Sequence, residues 1–311
     1  MVKVPILFLT YNRFDTAEKV FKSIRAYKPT KLYFASNSSK PRDPVDLNKV
    51  NEVRSLLNKI DWPCSVHTRF LGTHLDVKES LNSSISWFFD NEEFGIILED
   101  DCLPHLDFYN FCSTLLYKYK DDSRIFAIAG HNFQDGIWRG DGSYYFSRYN
   151  HVWGWASWRR AWLMNDVSMK FWPAWKRSDE WRRYWETRAS RFYWTFIMDK
   201  MYAEKINTWD YCWTANVWYK GGLTIIPNVN LVSNIGFGPE ATHTRSINNL
   251  SANLEVFNLA KIEHPKVVKR DVSADIYTFL NHYGGINFTF PRNIFILPFK
   301  ALKYLSRKFF F

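Results

Sequence analysis

Cysteine is scarce in this chain of 311 residues: Cys64, Cys102, Cys112 and Cys212 share no Cys-x-x-Cys spacing and no paired Cys/His arrangement. Cysteines so isolated read as small buried residues and exclude a structural zinc site. Long apolar runs are missing too; none reaches the roughly 18–20 residues that a spanning helix needs. The opening stretch MVKVPILFLTYNR lacks the layout of a signal peptide, because Asn12 and Arg13 follow the apolar run at once and no small-residue cleavage site appears. A cytoplasmic protein is the expectation. Neither an internal repeat nor a low-complexity segment is present. At 46% hydrophobic and 23% charged residues the composition excludes a disordered polyelectrolyte.

Two features stand out against these absences, a net charge of +10 and 15 tryptophans, and both are unevenly spread. Twelve of the tryptophans fall between Trp153 and Trp218. Residues 291–311 carry five Lys/Arg and no acid, half of the net charge.

The first 130 residues alternate strand and helix patterns. Val4–Thr10 is a continuous apolar run, as expected of a parallel strand buried on both faces. Asp15 is positioned to cap a helix through Ala17–Tyr27 whose apolar stripe is Val20, Phe21 and Ile24. Further strands are expected at Lys31–Ser36, Ser65–Phe70, Gly95–Leu98 and Ile125–Gly130. Helices are expected at Val45–Ile60, Asp76–Asn91 and Phe108–Tyr119. This rhythm predicts an α/β fold with a mainly parallel sheet flanked by helices, whose ligands bind beyond the carboxyl ends of the strands. The most polar strand ends are Thr10–Arg13, Ser36–Ser39 and Glu99–Asp101. The middle of the chain, Tyr144–Trp218, is aromatic and basic, with little strand pattern before Leu223–Ile226.

Gly95-Ile-Ile-Leu-Glu-Asp-Asp-Cys-Leu-Pro104 is the most informative stretch. Three carboxylates directly after an apolar strand repel one another unless a cation relieves them. Hard oxygen ligands suit Mg²⁺ or Mn²⁺, which can bridge to a diphosphate. The tripeptide alone fits either a metal–diphosphate site or a solvated acidic turn.

At this point the chain resembles the GT-A-fold nucleotide-sugar glycosyltransferases, and within them N-acetylglucosaminyltransferase I-like and bacterial family 2-like enzymes. Glu99-Asp100-Asp101 resembles their Asp-x-Asp-type motif, and Pro5–Arg13 resembles the first strand with its nucleotide-contacting loop. Trp153-Gly-Trp-Ala-Ser-Trp158 resembles the segment before the acceptor region. Trp209-Asp210, Ile225–Pro227 and Gly236–His243 resemble the stretch holding the catalytic aspartate and a late histidine. The likeness covers roughly residues 4–245. It implies a GT-A (Rossmann-like) sheet, with residues 1–130 as the nucleotide-sugar half, 131–250 as the acceptor-binding and catalytic half, and 251–311 as a C-terminal extension.

The resemblance implies a role for each matching residue. Asp101 would coordinate the metal, Asp100 would hydrogen-bond ribose or donor sugar, and Glu99 would hold the donor sugar. Thr10, Tyr11, Asn12 and Arg13 would contact the nucleotide. Asn37 stands where related proteins carry an aspartate that binds uracil; its carbonyl can still accept a hydrogen bond, so a UDP-sugar is the leading expectation. Lys78 would face the diphosphate or else lie on a solvated helix face. His243 would lie near diphosphate or metal.

Asp210 is the candidate general base of an inverting transfer, because a carboxylate must take the proton of the attacking hydroxyl; flanking Trp209, Tyr211 and Trp213 would raise its pKa by desolvation. Asp199 and Glu204 are weaker alternatives. Arg148 and His151 would serve donor phosphate or acceptor hydroxyls. Sugar rings stack on aromatic faces, so Trp153, Trp155 and Trp209 are candidate acceptor contacts while most of the twelve tryptophans pack the core.

From Phe299 the residues Phe299, Leu302, Leu305 and Phe309 share a helical face, with Lys300, Lys303, Arg307 and Lys308 off that stripe. Such a tail suits an anionic membrane surface or docks on the protein itself. Peripheral attachment to the inner face of the cell membrane, beside a glycan or lipid-linked acceptor in polysaccharide biosynthesis, follows as an expectation. Competing readings are a noncatalytic carbohydrate-binding protein, which leaves the Glu-Asp-Asp strand end unexplained, and a sugar nucleotidyltransferase, whose first loop is normally glycine-rich, unlike Thr10–Arg13. Nucleic-acid binding, suggested by a pI of about 9.3, ranks last because the expected sheet edge is acidic.

Overall fold

The computed structural model describes residues 3–237, 253–259 and 261–288. His243 and the tail 291–311 lie outside the described residues. In chain order the elements are β1 (Ile6–Thr10), α1 (Phe14–Tyr27), β2 (Lys31–Ser36), α2 (Pro44–Arg54), β3 (Ser65–Phe70), α3 (Val77–Asn91), β4 (Phe94–Glu99), β5 (Cys102–Pro104), α4 (Leu106–Lys118), β6 (Ile125–Ala129), β7 (Tyr144–Ser147) and β8 (Trp155–Trp158). Then follow α5 (Arg159–Trp162), α6 (Trp172–Trp175), α7 (Asp179–Tyr184), α8 (Arg188–Tyr202), α9 (Asp210–Tyr219), β9 (Leu223–Pro227), β10 (Val232–Asn234) and α10 (Val272–Asn281).

The fold is α/β. Eight strands form one sheet in the order β3-β2-β1-β4-β8-β6-β9-β7, and β10 pairs with β5 in a separate ribbon. β1, β2, β3 and β4 run parallel, as do β6 and β9. β8 is antiparallel to both β4 and β6, and β7 is antiparallel to β9. The sheet is therefore mixed, with its parallel block in the first hundred residues.

Alternation along β1 explains why the sheet is buried on both sides. Ile6 and Phe8 pack with Val20, Phe21 and Ile24 of α1 and with Phe108, Phe111 and Leu115 of α4. Leu7 and Leu9 point the other way and pack with Ile85, Phe88 and Phe89 of α3 and with Trp213 and Val217 of α9. A strand covered by helices on both faces has no polar side to show, hence its unbroken apolar run.

Local signals set several helix starts. Asp43 caps α2 by accepting from the Asp46 N–H at 2.9 Å, with Pro44 in the first turn. Asp76 caps α3 by accepting from Glu79 N–H at 2.9 Å. Asp15 differs from expectation: α1 begins at Phe14, so Asp15 lies in the first turn, where its charge meets the positive end of the helix dipole.

The described residues divide into two compact units. One lies within Met1–Val167 and Asn207–Asp271 and contains the whole sheet; the other lies within Ser168–Ile206 and Val272–Phe311. The tryptophans divide likewise. Trp155, Trp162, Trp209 and Trp213 form one ring cluster in the first unit. Trp172, Trp175, Trp181, Trp185 and Trp194 form another in the second. Among the described residues, no helix is long and apolar enough to cross a membrane.

Candidate active site

Parallel register brings three strand ends to one edge. Thr10 is level with Ser36, and Leu9 is level with Glu99. The polar segments Thr10–Arg13, Ser36–Ser39 and Glu99–Asp101 therefore meet, as the strand pattern predicted. The Thr10 hydroxyl donates to the Ala35 carbonyl at 3.1 Å and ties the first two ends together.

Arg13 joins the first end to the third. Its Nη2 lies 2.7 Å from Asp101 and 3.3 Å from Asp100. The Tyr11 backbone N–H donates to Asp100 at 3.0 Å. Burial works against the Arg13 charge, but Asp100 and Asp101 outweigh it and hold the guanidinium charged more firmly than usual.

The ribbon β5–β10 closes the site from the other side. Cys102 pairs with Asn234, the Ile235 N–H donates to the Asp101 carbonyl at 2.8 Å, and Arg13 Nη1 donates to the Gly236 carbonyl at 3.2 Å. Gly236 is needed for this approach: a Cβ there would lie 2.1 Å from Asp101 Oδ2.

Glu99 is half-buried, and its carboxyl oxygens make no hydrogen bond among the described residues. Burial, then the charges of Asp101, Asp100 and Asp210, push its pKa well above the usual carboxylate range, with Arg13 pulling against them. Asp100 shifts upward for the same first reason, burial, despite Arg13.

The charge of Asp210, at the start of α9, acts on Glu99 although 111 positions separate the two residues in the sequence. Asp210 lies in the first turn of α9 and accepts a hydrogen bond from the Thr208 hydroxyl. Lys78, in the first turn of α3, approaches the same helix. Burial pushes the Cys212 thiol up to about 11, while Lys78 pulls it down and Asp210 pushes it up. Lys78 also lines a hollow of about 360 Å³ with Asp76, Glu79, Asn82, Ser83, Ser86 and Val167.

The loop after β1 has an anchor that composition and motif did not reveal. Buried Asp46 accepts from the Tyr11 hydroxyl at 2.6 Å, from Asn12 Nδ2 at 2.5 Å and from the Lys40 N–H at 2.7 Å. Burial alone would raise the Asp46 pKa, but these donors outweigh it and hold the carboxyl below its ordinary value. Asp46 falls in the first turn of a helix, where an acid is expected for the helix dipole alone, so nothing in its local sequence marks this role.

His74 was also missed. Its Nδ1 lies 2.8 Å from the Ser38 carbonyl, and its ring sits 5.3 Å from that of Tyr11. Asn37 is engaged locally: its Oδ1 accepts from the N–H groups of Ser38 and Leu75, and its Nδ2 donates to the Leu75 carbonyl at 2.9 Å. The amide carbonyl expected to accept from a base is thus already taken by two backbone donors.

Other expected residues are placed differently. Trp155 and Trp209, expected as acceptor contacts, are buried, and their rings stack on each other at 5.6 Å. Both pack the core beneath the sheet, because their indoles fill the space between β8 and α9. Arg148, expected at phosphate or acceptor, is 1% exposed, and its carbonyl accepts from Trp218 Nε1 at 2.8 Å.

Trp153 and His151 lie in one cluster of rings with His131 and Phe133. Trp153 is half-buried, with His131 at 4.8 Å and Phe237 at 5.7 Å between ring centres. Buried His151 meets Phe133 edge-on at 4.7 Å. Asp199, the alternative base, pairs with Lys176 at 2.7 Å and accepts from Trp172 Nε1 at 2.9 Å. Among the described residues no group of three or more His, Cys, Asp or Glu is arranged to hold a metal ion by itself.

No family model and no curated protein matches the chain. Solved structures with partial likeness exist. The mannosyltransferase PcManGT from Pyrobaculum calidifontis, in complex with GDP-Man and Mn²⁺, is 14% identical with a TM-score of 0.35, over 50% of this chain and 44% of its own. This chain thus spans less than half the length of that enzyme. A UDP-glucose pyrophosphorylase complexed with UDP-glucose is 10% identical with a TM-score of 0.32, over 53% of this chain and 79% of its own. The 4-diphosphocytidyl-2C-methyl-D-erythritol synthase from Anaerococcus prevotii is 9% identical with a TM-score of 0.34, over 71% of this chain and all of its own.

Proposed function

We propose that the protein is an inverting glycosyltransferase of GT-A type that moves a sugar from a nucleoside diphosphate donor, with a UDP-sugar the leading candidate, to a hydroxyl of a glycan or lipid-linked acceptor. The observation that carries this reading is the meeting of Thr10–Arg13 with Glu99-Asp100-Asp101 at the carboxyl edge of the sheet, with Arg13 paired to Asp100 and Asp101. Carboxylates gathered at a strand end are costly by repulsion. A diphosphate-binding end that works through a cation explains why they are gathered, and Asp210, whose charge acts on Glu99, is the candidate for a separate base.

The carboxylates fit a divalent cation, Mn²⁺ or Mg²⁺. They offer hard oxygen donors, and among the described residues Arg13 is the cation that pairs with them. Asp101 would hold the ion, with the donor's phosphates completing its shell, since the described residues form no closed site. When bound, the ion would stabilise charge developing on the departing diphosphate.

The chain's own residues do the rest. Tyr11, Asn12, Asn37 and His74 line the nucleotide end; Arg13 faces the phosphates, and Lys78 lies near the base. Glu99 and Asp100 hold hydroxyls of ribose and donor sugar, and Trp153 offers a half-buried ring to the acceptor. Asp210 accepts the proton of the acceptor hydroxyl as its oxygen bonds to the anomeric carbon. The bond from that carbon to phosphate breaks in the same displacement, and the nucleoside diphosphate leaves with the electron pair. One displacement inverts the anomer.

The test is a screen of nucleotide sugars with purified protein and Mn²⁺, following nucleoside diphosphate release and the product anomer by NMR. Metal-dependent release with inversion supports the reading. Retention of configuration, or synthesis of a nucleotide sugar from a nucleoside triphosphate and a sugar 1-phosphate, overturns it; the latter would identify a sugar nucleotidyltransferase.

A further inference from the structure

Helix α8 (Arg188–Tyr202) breaks the usual division of a surface helix into a core face and a polar face. Its core face is conventional: Ser190, Trp194, Met198 and Met201 are buried. At about 100° per residue, Phe192 and Phe196 lie on the opposite side, and they are 61% and 50% exposed. Opposite a buried stripe, a polar surface is the rule; two phenylalanines one turn apart are not explained by folding.

The charges around them are of one sign. Arg188 precedes Phe192 by one turn, and Lys200 follows Phe196 by one turn, with its ammonium 4.2 Å from the Phe196 ring centre. The acid on this side, Asp199, is already neutralised by Lys176 at 2.7 Å. Residues 168–206 carry nine Lys/Arg against five Asp/Glu. The described chain reaches Phe288 against Tyr193 of the same helix, 5.5 Å between ring centres. In sequence, the basic segment 291–311, with five Lys/Arg and no acid, follows Phe288 by three residues.

We propose that the outer face of α8 is a docking surface for an anionic lipid bilayer. Phe192 and Phe196 would enter the boundary of headgroups and acyl chains, and Arg188 and Lys200 would pair with lipid phosphates, an arrangement suited to a helix lying in the membrane plane. A protein partner would need an acidic, aromatic-accepting groove to match the same face. A bilayer supplies both properties without a specific fold. The surface belongs to the second compact unit and stands apart from the transferase reading.

Vesicle co-sedimentation of the full chain tests this, with phosphatidylglycerol/phosphatidylcholine vesicles against phosphatidylcholine alone. Three full-length variants are compared with the parent: Phe192→Ser with Phe196→Ser, Arg188→Gln with Lys200→Gln, and a tail variant with its five Lys/Arg changed to Gln. The parent is expected to bind only the anionic vesicles. The phenylalanine pair should weaken binding about tenfold, and each helix cation removed should weaken it about fivefold, at an unchanged thermal midpoint. Both effects should appear with the tail intact. Equal binding to both vesicle types overturns the proposal. So does parental binding by both helix variants while the tail variant loses it, which would make the tail the sole anchor. A parental dimer that the phenylalanine pair converts to a monomer, with vesicle binding unchanged, would assign the face to a second copy instead.

Discussion

Gly236 sits so close to Asp101 that a Cβ would overlap the carboxylate, 2.1 Å from Oδ2. The obstructed atoms are Oδ2 and Cγ and, at 2.7 Å, the Asp101 Cβ, which no rotation of the carboxylate can move, so the backbone must give as well. Gly236→Ala is therefore expected to lower stability by about 1–3 kcal/mol. It should weaken Mn²⁺-dependent nucleotide binding by about 10–100-fold, the range for disturbed positioning of a metal ligand. Thermal unfolding and titration with nucleotide plus Mn²⁺ check the two halves separately. A large stability loss with normal nucleotide binding would contradict the assignment.

Arg13 bridges Asp100 and Asp101, and without it their repulsion, together with that of Glu99, has no direct counterion. Arg13→Gln should destabilise the protein in chelator by about 2 kcal/mol, within the range for an uncompensated partly buried pair. Mn²⁺ should restore much of the loss if the carboxylates take a divalent ion, since binding to the native state raises its stability. Thermal midpoints in EDTA and in millimolar Mn²⁺ decide it; equal midpoints in both would remove the metal from the site.

The edge of the sheet was legible because two local patterns suffice to locate it. An apolar run buried on both faces identifies β1 and β4, and the first polar residue after each marks the strand end. Parallel pairing then sets Thr10–Arg13 beside Glu99–Asp101 without further information. Asp46 was not legible, because its partners Tyr11 and Asn12 lie more than thirty positions away and its own neighbours explain it as an ordinary helix-start acid. The tryptophans misled for a related reason: an indole that stacks on sugar and one that fills a core look alike in sequence. Trp155 and Trp209 proved to be core because β8 and α9 enclose them. Trp153, two residues before Trp155 and outside β8, keeps a half-buried ring against His131 and Phe237.

Asp46 provides a pH signature. Its folded pKa is below its ordinary value because Tyr11, Lys40 and Asn12 donate to the charged form. A carboxyl depressed on folding stabilises the protein above its unfolded pKa, and that contribution disappears as pH falls through the folded value. Asp46→Asn should therefore lower the thermal midpoint at pH 7 and flatten its decline as pH falls below about 4. The substitution should also loosen the loop carrying Tyr11 and Asn12, weakening nucleotide binding several-fold while Asp210-dependent chemistry on bound donor continues. A midpoint-versus-pH curve parallel to the parent's would show that the Asp46 charge does not contribute.

Asp210 separates chemistry from binding. Its position at the start of α9 is secured by the Thr208 hydroxyl, and its charge reaches Glu99. Neither interaction requires the nucleotide, so Asp210→Asn should leave the nucleotide Kd within about twofold of the parent. Loss of the proton acceptor should lower kcat for transfer to a hydroxyl acceptor by about 10²–10⁴-fold. Asp199→Asn provides the contrast. Asp199 is held by Lys176 and Trp172 in the second compact unit, so its removal should act on stability and leave kcat nearly unchanged. A variant with parental kcat would move the role of base to another group.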